Sequence, residues 1–436
     1  MKVGFISLGC SKNLVDTEMM IGLFEKNKLE IVNDPADAEI ILINTCGFIE
    51  SAKEEAINTI LEMAEYKKEN CKYLIVTGCL VQRYKSELEK EMPEVDLFVS
   101  IDEYNDLWEK ISELISKEET TLSQQLDYLN RKITTSGYYA YLKIAEGCSN
   151  NCTYCAIPKI RGPYESRKME DILEEAKKLS DAGVQEIIVI AQDTTKYGID
   201  LYGTPKLAEL LKELCKLNFK WVRFLYAYPE TITDELIKTV RDEEKICKYF
   251  DIPIQHVSDT VLKRMGRKST SNTIRNVIKK IRKEIPDVVL RTTFITGFPG
   301  ETEEQFEELS QFVEEAKFDR LGVFAYSKED GTPAVKLDGH IRMNIKKSRA
   351  NKIMKIQNKV SRENNEKLVG KQLEVLIENI TEDGEFYIGR STREVPDDTD
   401  GIVFVNNTKD LIIGCFIKVK IEKALDYDLI TSIIEE

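Results

Sequence analysis

Two separate blocks of alternating apolar runs and helix-like segments confine most of this chain to parallel α/β architecture. In the first block, VGFISL (3–8), EIILINT (39–45) and KYLIVTG (72–78) are uninterrupted apolar stretches, the pattern of strands buried on both faces. Helix-like stretches at 15–27 and 51–68 separate them, and strands joined through helices run parallel. From about residue 138 the alternation restarts and continues for six units. Strands are predicted at 138–146, 186–192, 221–226, 249–254, 288–296 and 320–326, with helices at 168–182, 205–217, 231–243, 259–265, 270–284 and 302–317. Thr302 and Gln305 have the spacing of a capping box at the start of the last of these helices. Roughly 190 residues is short of the ~250 of a complete eight-unit barrel, so a partial six-unit (β/α) barrel is expected.

The remainder has a different grammar. Residues 341–366 are basic, polar and helix-permissive, as suits a connecting helix. After Gly370, short β-type runs (QLEVLIE, EFYIGRS, GIVFV, CFIKVKIE and LITSII) alternate with Gly, Asp and Asn, which predicts a small five-stranded barrel. Three domains are therefore expected, at 1–116, 134–365 and 367–436. No apolar run approaches the roughly 20 residues of a membrane span, and MKVGFISLGC lacks the features of a signal peptide, so a cytoplasmic protein is expected. A formal charge of −14 offers phosphates no broad counter-surface, which disfavours nucleic acid and favours basic proteins as partners.

Ten cysteines in such a chain point to metal or redox chemistry rather than to disulfides. With only His256 and His340 present, a His-rich zinc site is disfavoured. Cys148, Cys152 and Cys155 form a CxxxCxxC motif directly after the first strand of the six-unit block, on the face where barrel catalysis takes place. Thiolates hold Fe–S clusters, and three of them on a four-iron cluster leave one iron open for substrate chemistry. A zinc knuckle would need a fourth ligand nearby, and no His or Cys follows within fifty residues. Cys10, Cys46 and Cys79 each come just after one strand of the first block, and in a parallel sheet such positions share one edge. Three unrelated core thiols are the alternative, although these would be expected within the apolar runs. Cys71, Cys215, Cys247 and Cys415 lie in or beside apolar segments and read as structural.

Other candidates follow barrel strands. AQDTTKYG (191–198) offers Gln192 and Asp193 to a cofactor or substrate, or else is a capped turn. PIQH (253–256) offers Gln255, with His256 as a proton shuttle or a positioning group. In FITGFPGET (294–302), Gly297 and Pro299 sit where the backbone passes close to something, whether a cofactor or simply the next helix. Asp193 and His256 are thus the catalytic candidates. Gln192, Gln255, Gly297 and Pro299 are the candidates for cofactor binding.

The segment GCSNNCTYCAIPKIRGPYESR (147–167) closely resembles the radical S-adenosylmethionine superfamily. That resemblance implies that Cys148, Cys152 and Cys155 hold a [4Fe-4S] cluster whose open iron binds S-adenosylmethionine. It also implies reductive cleavage of that cofactor to a 5′-deoxyadenosyl radical, and an adenine-contacting role for 294–302. LGCSKNLVDTE (8–18) and INTCGFIESAKEEA (43–56) resemble the N-terminal domain of methylthiotransferases, and the C-terminal segment resembles their TRAM domain. In those enzymes the first three cysteines bind a second [4Fe-4S] cluster, here Cys10, Cys46 and Cys79, that carries or activates the sulfur. A second S-adenosylmethionine supplies the methyl group, and an electron donor and a sulfur source are also required.

Two groups of methylthiotransferases are relevant. One modifies adenosine in tRNA (the MiaB type). The other, the RimO type, modifies the β-carbon of an aspartate in small-subunit ribosomal protein S-twelve. GCSKN (9–13), AQDTTKYG, LYAYP (225–229) and DIPIQH (251–256) resemble the second group. Residues 367–436 carry 8 Lys and Arg against 15 Asp and Glu, which would repel tRNA and attract a basic protein. EVPDDTDG (394–401) is the densest acidic stretch there, either a docking element or an ordinary solvated loop.

Overall fold

The structure, a computed structural model, describes residues 1–115, 125–396 and 399–434. Five parallel strands open the chain: β1 (Lys2–Ser7), β2 (Glu30–Val32), β3 (Ile40–Thr45), β4 (Tyr73–Gly78) and β5 (Leu97–Val99), in the order β2-β1-β3-β4-β5. The sequence indicated β1, β3 and β4. The edge strands β2 and β5 escape a pattern reading because three residues carry no periodicity. Alternate residues of β3 and β4 serve opposite layers. Ile41, Ile43, Leu74 and Val76 pack on α2 (Glu50–Ala64) and α3 (Cys79–Glu91), while Ile40, Leu42 and Ile75 pack on α1 (Ser11–Lys26) and α4 (Leu107–Leu114). Each such fully buried side chain contributes about 1.5–3 kcal/mol.

The central block is a partial barrel. Its strands are β6 (Tyr139–Lys143), β9 (Glu186–Ile190), β10 (Trp221–Phe224), β11 (Tyr249–Gln255), β12 (Val289–Thr296) and β13 (Arg320–Ala325). They form two parallel three-stranded sheets, β6-β9-β10 and β11-β12-β13, joined by the bridge Val222–Ile246 and by the Cys247 N–H donating to the Val222 carbonyl. The first strand is shorter than the sequence suggests. Beyond Lys143 the chain leaves β9, and β7 (Ala145–Glu146) pairs antiparallel with β8 (Glu165–Ser166), closing the base of the 147–164 loop. All six expected helices form, and the Thr302–Gln305 capping box is present. Helix Met343–Glu366 packs along the barrel through Ile353 and leads to five strands: β14 (Gln372–Ile380), β15 (Phe386–Arg390), β16 (Val403–Asn406), β17 (Phe416–Ala424) and β18 (Leu429–Ile433). These close into a barrel in the order β14-β15-β16-β18-β17. Among the described residues, no helix is long and apolar enough to cross a membrane.

Each mouth of the partial barrel is covered by a different domain. At the strand starts, the small barrel docks. Trp221 meets the Phe416 ring edge-on at 4.8 Å, Tyr249 donates to Asp400, Arg320 pairs with Glu394 at 2.9 Å, and Glu186 receives both Arg223 and Arg390. This arrangement corrects the reading of 394–401 as a surface acidic element. Glu394 and Asp400 are buried clasps for barrel cations and take no part in surface charge, while Asp397 and Asp398 lie outside the described residues.

At the strand ends, the N-terminal domain docks through α1. Asp16 accepts from Lys143 and, at 2.6 Å, from Arg161; Glu18 accepts from Arg131, which also pairs with Glu175 at 2.8 Å. Glu146 completes the first network, 2.8 Å from Lys143 and 3.3 Å from Arg161. Burial alone would depress both cations, but Asp16 and Glu146 more than reverse this and hold Lys143 and Arg161 firmly charged.

Two outcomes test these interfaces. Asp16→Asn leaves two buried cations facing one carboxylate, so unfolding of the full chain in urea should show a loss of about 3–5 kcal/mol. Burial pushes the Glu394 carboxyl up, but Arg320 and the Ser391 hydroxyl and N–H outweigh it and hold it below its ordinary value of 4.5. A depressed carboxyl supplies stability above the ordinary value and loses it as pH falls toward the lower native one. Glu394→Gln should therefore destabilise the protein near pH 7, with the gap to wild type narrowing below about pH 4.5 in urea titrations at stepped pH.

Candidate metal centres at the domain seam

Cys10, Cys46 and Cys79 stand one to three residues past the ends of β1, β3 and β4, which are adjacent strands in the sheet. Neighbouring strands lie about 4.8 Å apart, so residues past their common edge are brought together. Gly9 makes the approach possible: its φ is +89°, and a Cβ there would lie 2.6 Å from the Cys46 Cβ. Asn13 ties the edge, its Nδ2 donating to the Leu8 carbonyl at 2.8 Å and to the Thr45 carbonyl at 3.3 Å. The three thiols interact through space, and Arg161 adds a cation, its Nη2 3.7 Å from the Cys79 Sγ and 2.9 Å from the Asn13 Oδ1. Burial pushes Cys46 up and Cys79 to about 11, against the pull of Arg161.

The second triad occupies the loop between β7 and α5 (Ile157–Arg161). The Asn150 N–H donates to the Cys148 Sγ at 3.4 Å, and Cys152 Sγ lies 3.9 Å from the Tyr228 hydroxyl. Cys155 folds back so that its N–H donates to the Cys152 carbonyl at 3.1 Å. Burial raises Cys148 and takes Cys155 to about 12, with the neighbouring thiols adding to it. Such thiols hold their protons until a metal displaces them.

The two triads face each other across the seam. Cys79 packs directly on Ala156 and Ile160, which follow Cys155, and Arg161 at the end of the same short helix reaches the Cys79 sulfur. From the other side, LYAYP bridges the pair. Tyr226 lies under the Lys12 ammonium, 3.5 Å from its ring centroid, and Tyr228 reaches Cys152. A cavity of about 270 Å³ opens between the domains, lined by Phe48 and Ile49 after Cys46, Tyr154 inside the second triad, Gln255 and Tyr326. Its far wall is tied by Glu329, which pairs with Lys53 at 3.4 Å and Arg83 at 3.6 Å.

The remaining candidates divide. Gln255 lines the cavity, at a bulge in β11 where its φ is +74°. Gln192 is half-buried beyond β9. Asp193 is fully buried and committed, accepting from Asn150 Nδ2 at 2.9 Å and Thr195 Oγ1 at 2.6 Å, so it braces the loop whose N–H meets Cys148. Burial raises its carboxyl against those hydrogen bonds. His256 is equally enclosed. Its Nδ1 accepts the Ser258 N–H at 3.0 Å, which puts the ring proton on Nε2, 3.5 Å from the Glu301 carboxylate. The ring is fully buried, and among the described residues its Nε2 has no hydrogen-bond partner. At Gly297 a Cβ would collide with Lys346 at 2.3 Å, so that glycine serves close packing of the connecting helix, and its N–H donates to Glu301. The Pro299 carbonyl accepts from Arg264 at 3.0 Å.

Both triads fit Fe–S clusters by donor chemistry: three interacting thiols each, a backbone N–H on one sulfur and a guanidinium on another. Among the described residues, no three His, Cys, Asp or Glu side chains close tightly enough to ligate one ion, and a cluster that offers a separate iron to each thiolate does not ask for that convergence. Cys71 and Cys247 are buried in apolar clusters, and Cys215 and Cys415 pack beside others. Sequence reasoning passed over Arg161, Asn13, Lys12, Tyr226 and Tyr228 as site residues. All lie inside the motifs named above, but the contacts Arg161–Cys79, Arg161–Asn13, Lys12–Tyr226 and Tyr228–Cys152 each join residues more than 60 apart.

Comparison with known proteins agrees with this architecture. Residues 142–313 match the Radical SAM superfamily, 2–100 match Uncharacterized protein family UPF0004, and 369–434 match the TRAM domain. Among solved structures, the radical S-adenosylmethionine methyltransferase TsrM from Kitasatospora setae, with cobalamin and [4Fe-4S] cluster bound, shares the fold at a TM-score of 0.60 and 11% identity, over 76% of each chain. The cobalamin-dependent S-adenosylmethionine radical enzyme OxsB aligns with a TM-score of 0.51 at 14% identity, over 81% of this chain and 56% of that one. The chain is 63% identical to the ribosomal protein uS12 methylthiotransferase RimO of Alkaliphilus oremlandii, over 100% of both chains. It is 53% identical to that of Acetivibrio thermocellus, over 100% of this chain and 99% of the other. With three matched domains in order and full-length identity of this degree, the chain belongs to the RimO family of radical S-adenosylmethionine methylthiotransferases.

Proposed function

We propose that this enzyme inserts a methylthio group at the β-carbon of an aspartate in ribosomal protein uS12, using two [4Fe-4S] clusters and S-adenosylmethionine. The domain match at 142–313 implies S-adenosylmethionine and one [4Fe-4S] cluster, and the relatives' names give uS12 as the substrate. The observation that supports the two-cluster reading is the packing of Cys79 on Ala156 and Ile160, together with a cavity lined by Phe48 and Ile49 after Cys46 and by Tyr154 between Cys152 and Cys155. Cys148, Cys152 and Cys155 would hold the cofactor-binding cluster, and Cys10, Cys46 and Cys79 the sulfur-carrying one. When bound, these groups supply a carbon-centred radical source and the sulfur; the protein positions and shields them.

The chain's own residues do the rest. Asp193 and Asn150 fix the loop around Cys148, Arg161 balances negative charge beside Cys79, and Tyr228 packs at Cys152. Phe48, Ile49 and Tyr154 wall the cavity with apolar surface, which limits water at a site of reactive intermediates. An electron donor and a sulfur source complete the requirement.

The test is anaerobic reconstitution followed by incubation with S-adenosylmethionine, dithionite, sulfide and either uS12 or tRNA, read by mass spectrometry. An adduct of about 46 Da on an aspartate of uS12 is expected, and Cys79→Ala should abolish it while 5′-deoxyadenosine still forms. Modification of tRNA in place of uS12 would overturn the substrate, and full methylthiolation by Cys79→Ala would overturn the second cluster.

A further inference from the structure

Lys12, Lys143, Arg161 and Arg267 are buried cations beside the cysteine triads, and among the described residues only Lys143 and Arg161 of these pair with carboxylates; Arg267 lies over the Tyr228 ring at 4.2 Å and donates to the Pro253 carbonyl at 3.2 Å. Lys143 and Arg161 share Asp16 and Glu146. Lys12 is just 5% exposed, yet among the described residues no carboxylate lies within 4.0 Å of its ammonium. Among the described residues its one side-chain partner is the Tyr226 ring, at 3.5 Å. An ammonium removed from water without a counter-ion is costly, and a cation–π contact recovers only part of that cost. Among the described residues no cysteine sulfur lies within 4.0 Å hydrogen-bonding reach of it, and the cation at the Cys79 sulfur is Arg161.

Lys12 is two residues from Cys10, and Tyr226 is two residues from Tyr228, whose hydroxyl meets Cys152. The ammonium therefore stands beside chain segments that carry both triads, the seam that the reacting carbon must reach under the proposed function. On the reading of the substrate given above, that carbon is bonded to a carboxylate.

We propose that Lys12 binds the side-chain carboxylate of the substrate aspartate, with the Tyr226 ring as the platform that holds the ammonium in place. A charge-assisted bond to the carboxylate fixes the adjacent β-carbon, and it rejects asparagine, which is isosteric and neutral. Lys12 is then a specificity residue that touches substrate, while Tyr226 is a positioning residue that acts through it.

The test uses the full-length, cluster-reconstituted enzyme and measures binding of uS12 and of uS12 with its target Asp changed to Asn, without reductant so that no turnover occurs. Wild type is expected to favour the aspartate form by on the order of tenfold to a hundredfold. Lys12→Met should bind both forms alike, with cluster absorbance and thermal midpoint retained, and Lys12→Arg should restore part of the preference. Under turnover, Lys12→Met should form 5′-deoxyadenosine uncoupled from methylthiolated product. Undiminished preference for aspartate in Lys12→Met would overturn the proposal, as would loss of iron from that variant with the preference intact, which would make Lys12 a counter-ion of the cluster. If wild type neither binds nor modifies uS12, the substrate reading itself fails, a result distinct from these.

Discussion

Asp16 accepts two cations that belong to another domain, and the seam that holds both cysteine triads is organised around that buried carboxylate. It sits in α1, directly after Cys10, while Lys143 ends the first barrel strand and Arg161 ends the short helix after Cys155. The network therefore links the two triads by their own flanking segments. Buried charges of this kind add little net stability compared with apolar packing, but leaving one unmatched is expensive. That asymmetry makes them good at fixing position, because few other placements satisfy all four groups at once.

Positioning is what the proposed chemistry asks of the fold. Apolar surface alone would let the domains slide, whereas directional pairs at Asp16, Glu18 and Glu329 hold the N-terminal domain at the strand-end mouth. The opposite mouth is sealed by the small C-terminal barrel through another buried set, centred on Glu186, Glu394 and Asp400. The partial barrel thus presents one working face. The small barrel lies at the other end, away from the cysteines.

Much of this was legible in the sequence. Uninterrupted apolar runs gave the buried parallel strands, the restart near residue 138 gave the second α/β unit, and short Gly- and Asp-punctuated runs gave the closed barrel. The six cysteines stood out because their spacing, and their places just past strands, differ from those of core thiols such as Cys71 and Cys247. The edge strands were missed for want of length. Glu394 and Asp400 were misjudged because a carboxylate in a loop-like stretch looks the same whether it faces solvent or a buried arginine.

Local order, then, was set by the chain itself: periodicity dictates strand or helix, and a strand-end cysteine in a parallel sheet has one edge on which to appear. What only the tertiary structure decided is which distant groups meet. Asp193 and His256 carry chemistry in principle, yet packing commits one to Asn150 and Thr195 and faces the other toward Glu301. Lys12 and Arg161 look alike as isolated cations. The fold gives Arg161 two carboxylates and leaves Lys12 with an aromatic ring, because pairing depends on distances between segments that no local pattern encodes.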